Sequence, residues 1–271
     1  MLRIVFFFSS LLFALNCHSW NAMGHQLIAQ IAYDNLTPKA KYICSKYNNS
    51  VRTYSKNNSF VYSSIWLDVL KTKDVHWFDS LHYIDLPFSK DATSLPSIQE
   101  HNALWAIKQA TAVLSSKKSS VSDKGLGLRI LIHVVGDIHQ PLHTATLVSQ
   151  QQPQGDLGGN LFLLGSNPIG RNLHQYWDKG AGSLVGLSTK YQIKNRAHEL
   201  EENWPCQMAA EGGPEQWVNL SHQLAVTQVY KIGPGTTPGK QYQSEAQMIT
   251  QKQIASAGCR LAALLNKICE S

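Results

Sequence analysis

The chain carries imidazoles and carboxylates at spacings that suit metal ligation. Residues 131–143 read LIHVVGDIHQPLH. His133 and Asp137 stand one helical turn apart, so both side chains leave the same face. An unpaired carboxylate buried among Leu, Ile and Val is costly. A bound metal removes that cost, because imidazole and carboxylate are zinc-type ligands. A single histidine in such a run reads as a satisfied core residue; three histidines and an aspartate favour the metal. NLHQYWD repeats the spacing with His174 and Asp178. His25 lies in MGHQLIAQ, Asp68 in WLD, and His82 in HYID with Tyr83 and Asp85. His76, His101, His198 and His222 have no motif around them and read as surface or core residues.

Helices must position most of these groups. Leu27, Ile28, Ile31 and Ala32 have helical spacing, which predicts a helix over 21–35. Thr37 and Pro38 cap and open the next one, towards Tyr47. Residues 62–71 read as a helix carrying Asp68, and 79–87 as an extended or irregular stretch. Ser97 to Glu100 has capping-box form and predicts a helix to about Ser115. The central helix is expected over 125–140, with Pro141 ending or kinking it and redirecting His143. Residues 150–159 read as a loop, 161–164 as a short strand, and 172–178 as a helical turn. Helical patches are expected over 196–204 and 214–230. A last helix over 244–267 is expected, with Ser244 as cap and Met248, Ile254, Leu261, Leu265 and Ile268 facing the core. No repeat or shift in composition divides the chain, so the reading is one mainly helical domain.

The sequence has 271 residues and is 43% hydrophobic, enough for a proper core. Its net charge of +6 fits a polyanionic partner but is scattered, with no dense basic run. Residues 1–19 have a basic start at Arg3, an apolar stretch and a small residue at Ser19. That pattern is a secretory signal peptide, which makes Trp20 the first mature residue and places the product in a periplasm or outside the cell. No second apolar stretch spans a bilayer. Cys44, Cys206, Cys259 and Cys269 remain, which suggests two disulfides with three possible pairings. Cys259 and Cys269 share a predicted helix, roughly 15 Å apart, which rules against a bond between them. Asn48, Asn57 and Asn219 begin Asn-x-Ser triplets, acceptors of glycan in a eukaryotic host.

Taken together and in order, Trp20, His25, WLD, HYID, HVVGD, HQPLH and NLHQYWD resemble the S-one/P-one nucleases, the zinc-dependent type I nucleases of fungi, plants and bacteria. The motifs cover the chain from Trp20 to Asp178, and SAGCRLAALLN resembles the family's last helix. The resemblance implies the single-domain helical fold shared with zinc phospholipases C, here over 20–271, and a cleft with three Zn2+ ions. Carried over by position, one zinc would be held by Asp68, His82, His133 and Asp137. A second would be held by His143, His174 and Asp178. The third would be held by the amine and carbonyl of Trp20, by His25 and by a bridging Asp137. His139 is not a ligand in that pattern and reads as a packed or supporting residue.

The implied chemistry is hydrolysis of phosphodiesters by zinc-activated water, with zinc also neutralising phosphoryl charge. Asp68 and Asp137 would be catalytic through the metals, and Lys71, one turn after Asp68, could add charge beside the phosphate. The family usually has Arg there; Lys keeps the charge and loses the bidentate fork. Tyr83 would stack a nucleobase and Asp85 would hydrogen-bond it, while Asn160 in GDLGGN resembles a loop residue at the cleft. Unpaired bases are free to insert, so single strands are the expected substrates. The resulting expectation is an exported, monomeric endonuclease that cuts RNA and single-stranded DNA to 5′-nucleotides, with 3′-nucleotidase activity. Two alternatives stand beside it. A zinc phospholipase C would keep the metals, but Asp178 stands where those enzymes carry Glu, and Tyr83 with Asp85 suits a base. A secreted metal-binding protein without catalysis would not need so many convergent carboxylates.

Overall fold

The structure, a computed structural model, describes residues 20–51, 58–186, 189–208 and 212–270. The expected signal peptide and Asn57 lie outside the described residues. Ten helices and one two-stranded sheet are found among them. The helices are α1 (Ala22–Asp34), α2 (Pro38–Ser50), α3 (Phe60–Ser63), α4 (Trp66–Lys71), α5 (Ala103–Ser115), α6 (Val121–Asp137), α7 (Leu173–Asp178), α8 (Lys190–Asn203), α9 (Pro214–Thr227) and α10 (Lys240–Glu270). The strands β1 (Pro87–Ser89) and β2 (Thr146–Val148) pair in parallel, with Phe88 opposite Leu147. The fold is therefore mainly α, in one domain.

Local chemistry explains the helix ends. Asn21 accepts from the Gly24 amide and starts α1; Thr37 accepts from Ala40, with Pro38 in the first turn of α2. In α6, Ser120 and Asp123 form a reciprocal capping box, so the helix starts four residues before its expected first residue. It ends at Asp137, and Pro141–His143 follows as a separate 3-10 turn, as the proline requires. Several expectations are corrected. Residues 62–71 form two short helices, broken between Ser63 and Trp66. The helix expected from Ser97 begins at Ala103, because Asn102 accepts from the Trp105 amide and supplies the cap. Residues 161–164 make only a single bridge, Leu163 to Asn172; the strand lies instead at 146–148. In α10, Ser244 is interior and Met248 is 57% exposed, while Ala246, Thr250 and Ala257 face inward beside Ile254, Leu261 and Leu265.

Two apolar cores flank the His/Asp motifs. The larger joins α1, α2, α5, α6 and α10 through Leu27, Ile31, Ile107, Leu131, Ile254 and Leu261. The smaller gathers Leu142, Leu173, Trp177, Tyr230 and Ala246. Cys206 and Cys259 are bridged, so the pair excluded on helical geometry is indeed not formed. Cys44 and Cys269 are buried thiols in contact with each other, which leaves one bridge where two were expected. Asn48 is buried, donating to the Asn58 carbonyl and accepting from Arg129 Nε, so it is not a glycan acceptor in the folded chain. No helix among the described residues is long and apolar enough to cross a membrane.

Candidate metal centre

The last turn of α6 brings His133 and Asp137, both fully buried, to the junction of the two cores. Gly136 lies between them and lets α1 approach closely. A Cβ there would sit 3.0 Å from His25 Nδ1, and its carbonyl accepts from the Trp20 indole N–H. Trp20 itself is fully buried, and the next amide, Asn21, donates to the Asp178 carbonyl. Residue 20 is thereby fixed against both α6 and the end of α7.

Three groups of ligand-type atoms form, each with its atoms within 4.8 Å of one another: His25, His133 and Asp137; Asp68, His82 and His133; and His143, His174 and Asp178. Asp137 joins the first two. Its Oδ1 lies 3.2 Å from His25 Nε2, and its Oδ2 lies 3.1 Å from His82 Nδ1 and 3.2 Å from His133 Nε2. Asp68 Oδ1 stands 3.8 Å from His133 Nε2 and 3.9 Å from His82 Nδ1. In the third group His174 Nε2 lies 3.5 Å from Asp178 Oδ2, and Gln140 donates to Asp178 Oδ1.

The backbone sets the tautomers. His133 Nδ1–H donates to the Ser64 carbonyl, His143 Nδ1–H to His82, and His174 Nδ1–H to Gly158. Each imidazole is left with its Nε2 lone pair turned into the cluster, the arrangement that outer carbonyls impose on metal ligands. His143 Nε2 is buried with no hydrogen-bond partner. Burial pushes His25 and His82 down and His143 to about 3, which keeps them in the neutral, ligating form. Burial alone would raise Asp137, but the neighbouring His133, His25 and His82 imidazoles hold it well below the usual carboxylate range. These donor atoms fit hard or borderline divalent cations bound by nitrogen and oxygen.

The centre opens on a cleft of about 650 Å³ lined by Asn21, Asp68, Val69, Asn160, His174 and Asp178, with Arg171 and Lys179 at its rim. Lys71 Nζ is 3.9 Å from Asp68 Oδ1, on the side the helical spacing assigns to it. Tyr83 and Asp85 line a recess of about 170 Å³ with Asn160 and His174, so the HYID residues and the GDLGGN loop meet. Asn160 also lines the large cleft and donates to the Leu157 carbonyl. Burial pushes the Asp85 carboxyl up to about 7, with His174 opposing and Asp156 adding to the rise. His139 stays out of the centre: its Nδ1–H donates to Val135, and its Nε2 meets Arg260 at 2.8 Å. His76, His101 and His198 are exposed, and His222 is half-buried against the Thr144 carbonyl. The sequence reading missed Gly136, the Ser64 carbonyl, the basic rim and Asp156. The glycines of HVVGD and GDLGGN were the only local signals for these.

Taken together, a helical domain whose buried histidines and aspartates converge at the foot of an open cleft has the build of a metal-dependent hydrolase. The family model described as S1/P1 Nuclease matches residues 20–270. The chain belongs to that family and is a nuclease, a hydrolase acting on phosphodiester bonds. It is 26% identical to Endonuclease 2 of Arabidopsis thaliana over 94% of this chain and 92% of the plant protein. It is 23% identical to Nuclease S1 of Aspergillus oryzae over 93% and 92%. With Nuclease P1 of Penicillium citrinum it shares 25% identity over 59% of this chain and 57% of the fungal protein.

Proposed function

We propose that residues 20–271 form an exported, monomeric, three-zinc nuclease that hydrolyses RNA and single-stranded DNA to 5′-nucleotides and also acts as a 3′-nucleotidase. The observation that carries this reading is the set of Nε2 lone pairs that backbone carbonyls aim at the carboxylates beneath an open cleft. Asp68, His82, His133 and Asp137 would hold one zinc, and His143, His174 and Asp178 the second. The Trp20 amine and carbonyl, His25 and the other oxygen of Asp137 would hold the third. Bound there, zinc lowers the pKa of water and offsets charge on the phosphoryl oxygens. Lys71 adds a further positive charge beside Asp68. The Tyr83 ring offers a stacking face and Asp85 a hydrogen-bonding group to an inserted base, with Asn160 lining the same recess. A recess of that size admits an unpaired base and excludes a paired one. Export is supported by the signal-peptide pattern of 1–19 and by the Cys206–Cys259 bond, which suits an oxidising compartment.

The test uses protein that begins at Trp20, incubated with single-stranded DNA, RNA, duplex DNA and phosphatidylcholine, with and without chelator. Chelator-sensitive cleavage of the single strands to 5′-phosphate ends is expected. Cleavage that survives thorough metal removal, or products ending in 3′-phosphate, would overturn the zinc and product assignments. Release of phosphocholine would point to the phospholipase alternative.

A further inference from the structure

The turn from Gly155 to Asn160 touches the third ligand group twice. The Gly158 carbonyl accepts from His174 Nδ1–H at 2.7 Å, and the Gly159 carbonyl accepts from the His174 amide at 3.3 Å. The turn is also pressed against the residue before His143: a Cβ on Gly158 would lie 2.4 Å from the Leu142 carbonyl. Its backbone is not one that a chain adopts unaided. Gly155, Leu157, Gly158 and Gly159 all have positive φ, and Leu157 has a side chain. Something outside the turn must hold it in this shape.

Asp156 supplies that hold. Its side chain is buried, and Oδ1 accepts from the Gly159 amide at 3.0 Å across the turn. The same oxygen accepts from the Leu147 amide at 3.0 Å and from the Thr146 hydroxyl at 3.4 Å, both on β2. Tyr230, also buried, donates its hydroxyl to the carboxylate, 2.9 Å from Oδ2 and 3.0 Å from Oδ1. The Tyr230 ring is wedged edge-on against Phe88 and Phe162. The path thus runs from a rigid aromatic cluster, through one carboxylate, to the carbonyl that orients His174.

We propose that Asp156 and Tyr230 are positioning residues for the His143, His174 and Asp178 metal site, acting through the Gly158 carbonyl on His174. This rests on the metal reading above. Asn at 156 keeps Oδ1 for the two backbone amides and presents an NH2 to the Tyr230 oxygen, so it preserves the turn. Ala at 156 leaves the Gly159 and Leu147 amides without their acceptor and releases the turn. A misplaced outer partner of a metal ligand weakens metal binding by about 10- to 100-fold.

The experiment is a zinc titration of metal-stripped protein against a chromophoric chelator, with melting curves to check folding. The wild type is compared with Asp156→Ala, Asp156→Asn and Tyr230→Phe. In Asp156→Ala, one zinc equivalent is expected to weaken by about 10- to 100-fold while the others stay unchanged. Turnover of a single-stranded oligonucleotide lost at limiting zinc should return in excess zinc. Asp156→Asn should stay within about threefold of wild type, and Tyr230→Phe should weaken the same equivalent by about three- to tenfold. A folded Asp156→Ala with every zinc affinity unaltered would overturn the proposal, as would equal weakening of all equivalents. If Asp156→Ala does not fold, Tyr230→Phe decides the matter: unaltered affinities count against the brace, and selective weakening supports it. A wild type that takes up no zinc would instead remove the proposed function itself.

Discussion

At the scale of single residues, a buried histidine becomes a candidate ligand through what its second nitrogen meets. His139 and His143 make the comparison directly. Both are buried, both donate Nδ1–H to a backbone carbonyl, and burial pushes both down to about 3. Nε2 of His139 is met by Arg260, whereas Nε2 of His143 has no partner. Spacing alone did not separate these two; the family pattern did, and the surroundings give the reason. Asp85 carries a prediction at this scale. Its carboxyl, pushed up to about 7 by burial, is charged above that pH and neutral below it. A base held by donating to the Asp85 carboxylate therefore binds less well as pH falls through 7. KM for a short oligonucleotide is expected to rise by up to about tenfold per pH unit below 7. Asp85→Asn should flatten that limb of the KM profile. A mutant profile that superimposes on wild type would take Asp85 out of the base site.

At the scale of elements, the centre depends on α1 and α6 approaching without a side chain between them. Gly136 makes that approach possible, and the indole of Trp20 spans it. Trp20 is 0% exposed and its neighbour Asn21 bonds to the Asp178 carbonyl, so residue 20 is held beside the ligand-type groups. A chain carrying a tag or leftover residues before Trp20 is expected to lose at least about tenfold in activity, together with one zinc equivalent. Metal analysis and rate measurements on protein of confirmed intact mass test this. Full activity there would exclude Trp20 as a ligand. The two helix starts that the sequence misplaced at Ser97 and Ser244 share one cause. Ser97 to Glu100 and Ser244 to Gln247 both look like caps, but Asn102 caps α5 and α10 begins earlier, at Lys240. A capping residue specifies a helix start only when the chain around it is free to turn there.

At the scale of the whole molecule, the centre sits where two cores meet, with α1 and α6 on the larger and α7 on the smaller. Helix α10 spans this junction. Gln253 donates to the His139 carbonyl, and Arg260 meets the His139 ring. The Cys206–Cys259 bond ties α10 to the segment after α8 across a separation of 53 residues. A closed loop of that length corresponds to about 4 kcal/mol of stabilisation in the chain-entropy model. Cys206→Ser is therefore expected to lower the melting temperature by roughly 10 °C. Calorimetry of the variant against wild type, without reductant, is the check; an unchanged melting temperature would show that the bond contributes nothing to stability. Neither cysteine belongs to a ligand-type group, so zinc affinity at 25 °C should stay within about twofold.

The sequence by itself determined the helical class and the pairing of His with Asp one turn apart, His133 with Asp137 and His174 with Asp178. Both follow from local periodicity, because a helix converts a spacing of four residues into a shared face; the wider set of candidate ligands came from the order of motifs that resembles the family. The tertiary structure decided which nitrogen of each histidine faces the centre, because the acceptors are carbonyls of Ser64, His82 and Gly158 that lie far along the chain. It also decided that Asp137 meets His25 with one oxygen and His82 with the other, that Arg260 satisfies His139, and that Asp156 bonds across the turn behind His174. The first two are contacts between residues separated by tens to more than a hundred positions. No periodicity encodes them, because they arise only when packing brings distant segments together.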